Sequence, residues 1–201
     1  MKVSYTSIIL SNLLLILHLN LILANPFPVI GVALIQPAPG GSQVYGQIQI
    51  TQQYAGSPLV VEGIVFNLKQ STRHGLHVHE TGDLSKGCLS LGGHFNPHGK
   101  LHGSEKSITR HTGDFGNIIT DAFGVARIYI VIQDGALFGE DGWIGRSLVV
   151  SEFQDDLGLA NNEESRKTGN SGGRLACGVI GIKYPLTSLP TERTMHDRRY
   201  Q

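Results

Sequence analysis

The sequence predicts an all-β protein, an antiparallel sandwich or flattened barrel of eight strands. Three observations carry that prediction: eight short segments rich in Val and Ile, turn-forming Gly, Pro, Asn or Asp between them, and no stretch of ten or more residues that sustains a helical period. The 26 glycines agree, since many short strands need many turns.

The first segment, VIGVALIQ at 29–36, is rich in β-branched residues and stops at Pro37, whose nitrogen cannot donate to a ladder. QVYGQIQIT at 43–51 alternates Gln with Ile, as a half-buried strand does, and LVVEGIVFNL at 59–68 follows the turn signal GSP. GLHVHE at 75–80 alternates apolar residues with histidines, so His77 and His79 share one face. FGNIIT at 115–120, GVARIYIVI at 124–132, GRSLVVSEF at 145–153 and RLACGVIGIKY at 174–184 complete the set, and eight strands manage their edges by closure or by covering loops. Two intervals, 81–114 and 154–173, are too long and irregular for hairpin turns, and loops of that length in a compact domain carry function or are disordered.

A chain of 201 residues with 40% hydrophobic content supports one core and one domain. Sixteen basic residues balance sixteen acidic ones, leaving no global field to favour nucleic acid or an anionic membrane. Lys2, the apolar run 8–23 and the small Ala24 have the layout of a secretory signal peptide at 1–24; polar Ser11, Asn12, His18 and Asn20 argue against a stable membrane span, with an uncleaved signal anchor as the alternative. The folded domain is expected at 25–184. The segment 185–201 lacks apolar periodicity and reads as a flexible tail; its arginines face Glu192 and Asp197, so a solvated tail is preferred to a polyanion-binding patch. A secreted chain meets an oxidising compartment, where Cys88 and Cys177 read as a pair; two separate buried thiols are the alternative.

Seven of the nine histidines lie between His74 and His111. His77, His79, His94, His102, His111 and Asp114 are nitrogen and oxygen donors suited to zinc or copper, and three histidines with one carboxylate close a tetrahedral zinc site. The glycine-rich GGHFNPHGK lacks both the spacing and the Ser or Thr of a phosphate loop.

Over about Val29 to Lys183 the chain resembles the copper/zinc superoxide dismutases, of the secreted type given its leader. The resemblance rests on GLHVHE, Gly87-Cys88, HFNP at 94–97, RHTGDFGN at 110–117, DDLG at 155–158, NEESRKTGN at 162–170 and GGRLACGVIGI at 172–182. It implies an eight-stranded Greek-key barrel with two long functional loops, a copper and a zinc cofactor, superoxide as substrate and a homodimer. Copper would lie on His77, His79 and His94, with His94 bridging to a zinc held also by His102, His111 and Asp114. Asp155 matches the carboxylate that links a copper histidine to a zinc histidine. Arg174 matches the arginine that positions superoxide, with Glu163, Glu164, Lys167 and Thr168 in the surrounding loop. Cys88 and Cys177 match the family disulfide, and Gly82, Ile144, Gly178, Val179, Ile180 and Gly181 match dimer-contact positions. His74 falls where the family has a structural histidine; His98 matches no ligand and reads as a solvent-facing loop residue.

One position departs. Where the family carries a fourth copper histidine after LVV, this chain has Ser151. In the family's cycle one superoxide reduces Cu(II) and leaves as dioxygen, and a second reoxidises Cu(I) and leaves, with two protons, as hydrogen peroxide. A hydroxyl is a poor donor to soft Cu(I), so weakened copper retention and reduced activity are expected, while zinc binding is intact. Phe153 stands where the family commonly has a basic or polar residue. Two functions follow as expectations: a secreted dismutase working on three protein histidines, or a zinc-stabilised, catalytically silent extracellular binding protein. The family's copper chaperone is a poor fit, because the chain has neither a Cys-x-x-Cys domain nor a Cys-x-Cys end.

Overall fold

The computed structural model describes residues 28–183; the expected signal peptide at 1–24 and tail at 185–201 lie outside the described residues. Eight principal strands run in chain order as β1 (Val29–Pro37), β2 (Tyr45–Gln52), β3 (Leu59–Phe66), β4 (Arg73–His79), β6 (Asp114–Ile119), β7 (Ala126–Ile132), β8 (Ser147–Ser151) and β9 (Arg174–Val179). Two short strands add to them, β5 (Ser85–Cys88) within the first long loop and β10 (Gly181–Ile182), which pairs with β1.

All pairings are antiparallel, in the spatial order β6-β4-β8-β9-β1-β2-β3-β7. A bridge between Thr120 and Ala126 links the ends of that order, so the sheet curls into a nearly closed barrel. The expected all-β architecture is what forms. The β-branched residues that select extended backbone also fill the interior, with leucines between them: Ile35, Ile48, Ile50, Val61, Val78 and Val150, and Leu59, Leu76 and Leu148, are fully buried in one cluster. Trp143 packs on Phe115 with ring centroids 4.8 Å apart.

A second, smaller cluster lies on the other face of β8 and β9, where Val149 meets Ala38, Cys88, Leu91 and Cys177. That face would be wet in a bare barrel. Here the first long loop covers it, which is why six consecutive residues of β4, His74 to His79, are buried although only alternate ones reach the core. Cys88 and Cys177 form a disulfide that fastens this loop to β9. Both thiols are therefore bonded rather than separate.

The second long loop holds one structured piece that periodicity could not reveal, the six-residue helix α1 (Glu163–Thr168). It is too short to show an apolar stripe. Its ends are nevertheless written locally: the Asn162 side chain caps the Ser165 amide at 2.7 Å, and Gly169 closes the helix in the left-handed conformation. Among the described residues no helix is long and apolar enough to cross a membrane.

Candidate metal centre

The site is built on β4. Strand alternation sends Leu76 and Val78 into the core and His77 and His79 to the opposite face, under the covering loop. The loop delivers His94 beside them: His79 and His94 form an isolated bridge, and Phe95 donates its amide to Val78 O at 2.8 Å. His102 and His111 come from the same loop, and Asp114 opens β6, whose register faces it to His77. All six side chains are buried.

Asp114 is the hub of one half. Its Oδ1 lies 3.0 Å from His94 Nδ1 and 3.2 Å from His111 Nδ1, and its Oδ2 lies 3.0 Å from His102 Nδ1. Three imidazole nitrogens and a carboxylate thus converge on one point. Oδ2 also accepts the amides of His111 and Gly103 at 2.8 and 3.1 Å, which holds the carboxylate in place. Burial alone would raise the Asp114 carboxyl, but hydrogen bonds from His102, His111 and His94 outweigh it and hold it far below the carboxylate range.

Asp155 joins this half to the other. One oxygen lies 2.7 Å from His102 Nε2 and the other 2.9 Å from His77 Nε2. Burial pushes its carboxyl up, yet those two imidazoles prevail and bring it down to about 2. An ionised Asp155 accepts from both Nε2 atoms, so the Nδ1 atoms of His77 and His102 face the centre. On the other side His79 Nδ1 lies 3.0 Å from Gly92 O; a carbonyl only accepts, so Nδ1 carries the proton and Nε2 is a bare donor. His94 stacks on His77 with ring centroids 3.8 Å apart. Burial, then the neighbouring His77, pull the His94 imidazole down to about 3. Burial likewise lowers His102, but its bonds to Asp114 and Asp155 reverse the sign and raise it to about 9.

The donor set fits a metal. His77 Nδ1 is buried without a hydrogen-bond partner, while His102 Nδ1 and His111 Nδ1 sit 3.0 and 3.2 Å from the Asp114 oxygens, where a cation can take the place of a proton between nitrogen and carboxylate. Ligand atoms of His77, His94, His102 and Asp114 lie within 4.8 Å of one another. That quartet includes His77 from the expected copper side and not His111; Asp155 lies within hydrogen-bond distance of both His77 and His102, and His111 lies beside Asp114.

The other expected residues fall as follows. Ser151 ends β8, is 3% exposed, and by alternation follows Val149, which faces His77 in register. His74 is buried with Nδ1 3.0 Å from Ser151 O, a brace between strands rather than a ligand. His98 lies 2.9 Å from Asp141 on the surface. Arg174 donates to the carbonyls of Cys88 and Gly92, so its guanidinium shares Gly92 O with His79. Glu163 and Lys167 pair at 2.6 Å on exposed α1, and Thr168 donates to Glu164 at 2.7 Å. Of the expected dimer positions, Gly181 is exposed and Gly82, Ile144 and Val179 are half-buried, whereas Gly178 and Ile180 are buried. The Ile180 side chain belongs to the core and has no exposed surface to offer a partner.

Sequence reasoning missed two positioning residues. Asn117 exchanges two 2.8 Å bonds with the backbone of Asp155, donating to its carbonyl and accepting from its amide. An asparagine inside a β-strand is disfavoured, and that was its available signal. Arg146 stacks 3.5 Å over the Phe95 ring and donates to Gly142 O at 2.8 Å, supporting the loop next to His94.

The comparisons with known proteins agree with this geometry. The family described as "Copper/zinc superoxide dismutase (SODC)" matches residues 44–180. The chain is similar to a superoxide dismutase [Cu-Zn] of Cryptococcus neoformans, 46% identical over 143 residues, covering 71% of this chain and 93% of the relative. It is similar to an extracellular superoxide dismutase [Cu-Zn] of Drosophila melanogaster, 46% identical over 142 residues, covering 71% and 78%. A third relative, superoxide dismutase [Cu-Zn] 5 of Dictyostelium discoideum, is 45% identical over 142 residues, covering 71% and 93%. With the barrel, the histidine cluster and a family match over more than half its length, the chain belongs to the copper/zinc superoxide dismutase family.

Proposed function

We propose that the chain is a secreted superoxide dismutase that converts superoxide to dioxygen and hydrogen peroxide, slowed by the loss of one copper ligand. The observation that carries this reading is the shared Gly92 carbonyl, which sets the Arg174 guanidinium beside His79. A cation fixed there attracts a small anion and orients it toward the bare nitrogens of His77 and His79. His94, His102, His111 and Asp114 would hold zinc, and His77, His79 and His94 would hold copper. When bound, copper supplies the one-electron oxidation and reduction of superoxide. Asp155 keeps the His77 and His102 rings in the tautomer that metal binding needs. Ser151 leaves three histidines on the copper side, which weakens retention of the metal.

The test is superoxide loss, followed directly, with the copper- and zinc-loaded protein and its Arg174→Ala variant. Catalysis above buffer controls that falls on removing Arg174 supports the proposal; a loaded protein no faster than controls rejects it. Ser151 motivates a second reading, a zinc-stabilised and catalytically silent extracellular binding protein. Stoichiometric copper in protein purified from its source counts against that second reading. Secretion belongs to the proposal too, supported by the leader-like 1–24 and by similarity to an extracellular relative; a homodimer belongs to it on the family resemblance alone.

A further inference from the structure

Away from the metal centre, at the end of the barrel where the β1–β2 and β3–β4 connections meet the end of β8, lies an open groove of about 430 Å³. Its lining includes Asn67, Arg73, His74, Glu152, Phe153 and Gln154. We infer that this groove binds a saccharide, holding one pyranose ring, free or at the end of a glycan.

His74 supplies the first constraint. The residue is 1% exposed, and its Nδ1 lies 3.0 Å from Ser151 O. A carbonyl only accepts, so Nδ1 carries the ring proton and Nε2 of the neutral ring is a lone pair. That Nε2 is buried and has no partner among the described residues. It requires an O–H or N–H donor, which excludes a bare phosphate or carboxylate as the group that meets it.

The rim supplies the second. Lys69, Arg73 and Glu152 line the rim and form no ion pair among the described residues, Glu152 Oε2 accepts the Gly173 amide at 3.3 Å, and Gln154 has no side-chain partner there. Asn67 donates its amide to Gln43 O at 3.0 Å from a left-handed backbone, leaving its own carbonyl oxygen to accept. Donors and acceptors are therefore interleaved around the groove. A ligand with several groups that each donate and accept satisfies them, and hydroxyl is the group with that property.

Phe153 supplies the third. It is 55% exposed, and its ring lies against Gly172, where a Cβ would come within 2.4 Å of Cδ2. An aromatic ring held in that way adds an apolar platform to a groove whose rim carries the polar side chains. A pyranose matches both parts, with an apolar C–H face for the ring and hydroxyls for the rim. The same fit explains why an aromatic residue is tolerated in solvent at this position.

The experiment uses the full zinc-loaded chain with methyl glucoside, methyl mannoside and methyl galactoside (all pyranosides) as probes, and glycerol as the acyclic control. Saturation-transfer NMR is read for each, with the ¹⁵N signal of His74 Nε2 followed during titration. Expected are millimolar binding of at least one pyranoside, movement of the His74 nitrogen signal, and at least a tenfold loss in Phe153→Ala with a smaller loss in Glu152→Gln. Both variants alter exposed side chains, so the fold survives them. No transfer to any pyranoside at about 50 mM overturns the inference. So does binding unchanged in both variants, or a His74 signal that stays still because only water fills the groove.

Discussion

The Arg174 guanidinium donates to the main-chain carbonyl of Cys88, and Cys88 is disulfide-bonded to Cys177, three residues beyond Arg174 along β9. One covalent link thus fixes both the strand that carries the arginine and the loop that orients it. Fold stability and the placement of the Arg174 guanidinium depend on the same bond.

Reducing this disulfide is expected to cost about 3–5 kcal/mol of stability, since it closes a loop of 89 residues. Urea unfolding with and without dithiothreitol measures that loss. Any dismutase activity should fall further than the folded fraction does, because Arg174 loses one of its two carbonyl anchors.

Asp155→Asn should lower affinity for both metals by about 10–100-fold, because an amide cannot accept from both His77 Nε2 and His102 Nε2. Competition titrations with chelators, performed separately for zinc and copper, check it. A loss confined to one metal would show that the carboxylate does not join the two halves.

Gly169→Ala should destabilise the protein by about 1–3 kcal/mol. Its φ of 67° is unfavourable for a side chain, and a Cβ would collide with the Asp155 carboxylate and His102 Nε2. Chemical denaturation measures the loss, and zinc affinity should drop with it, since the collision is with the clamp itself.

The metal-free protein should be most stable near pH 6.5. His102, raised to about 9, stabilises the fold fully below its ordinary 6.5 and loses that contribution as pH rises through 9. His94, lowered to about 3, contributes above 6.5 and loses it as pH falls through 3, joined near pH 2 by Asp155. Zinc uptake near neutrality displaces the His102 proton, so affinity should rise with pH up to about 9. Thermal unfolding against pH, and calorimetry in buffers of different ionisation enthalpy, test both signs.

The strands were legible because period-two alternation of Val and Ile is a local signal, visible in QIQI of β2 and in LHVH of β4. The histidine and aspartate cluster was legible because its residue types and crowding are unusual in any chain. What the sequence could not disclose depends on groups far apart in it. The clamp by Asn117 on Asp155 spans 38 residues, and the link between His77 and His102 runs through Asp155. α1 escaped because six residues hold too little periodicity, although its caps, Asn162 and Gly169, were in plain view. Ile180 was placed at a dimer surface by motif, yet β9 and β10 turn it inward.

In the proposed function three histidines on the copper side still support catalysis, at a cost set by Ser151. The most direct measurement compares superoxide dismutation by the copper- and zinc-loaded protein with that of its Ser151→His variant, after loosely bound metal is removed. A wild-type rate clearly above metal-free controls and below that of Ser151→His is expected. A wild type no faster than controls, beside an active variant, would contradict it and move the function of this chain to binding.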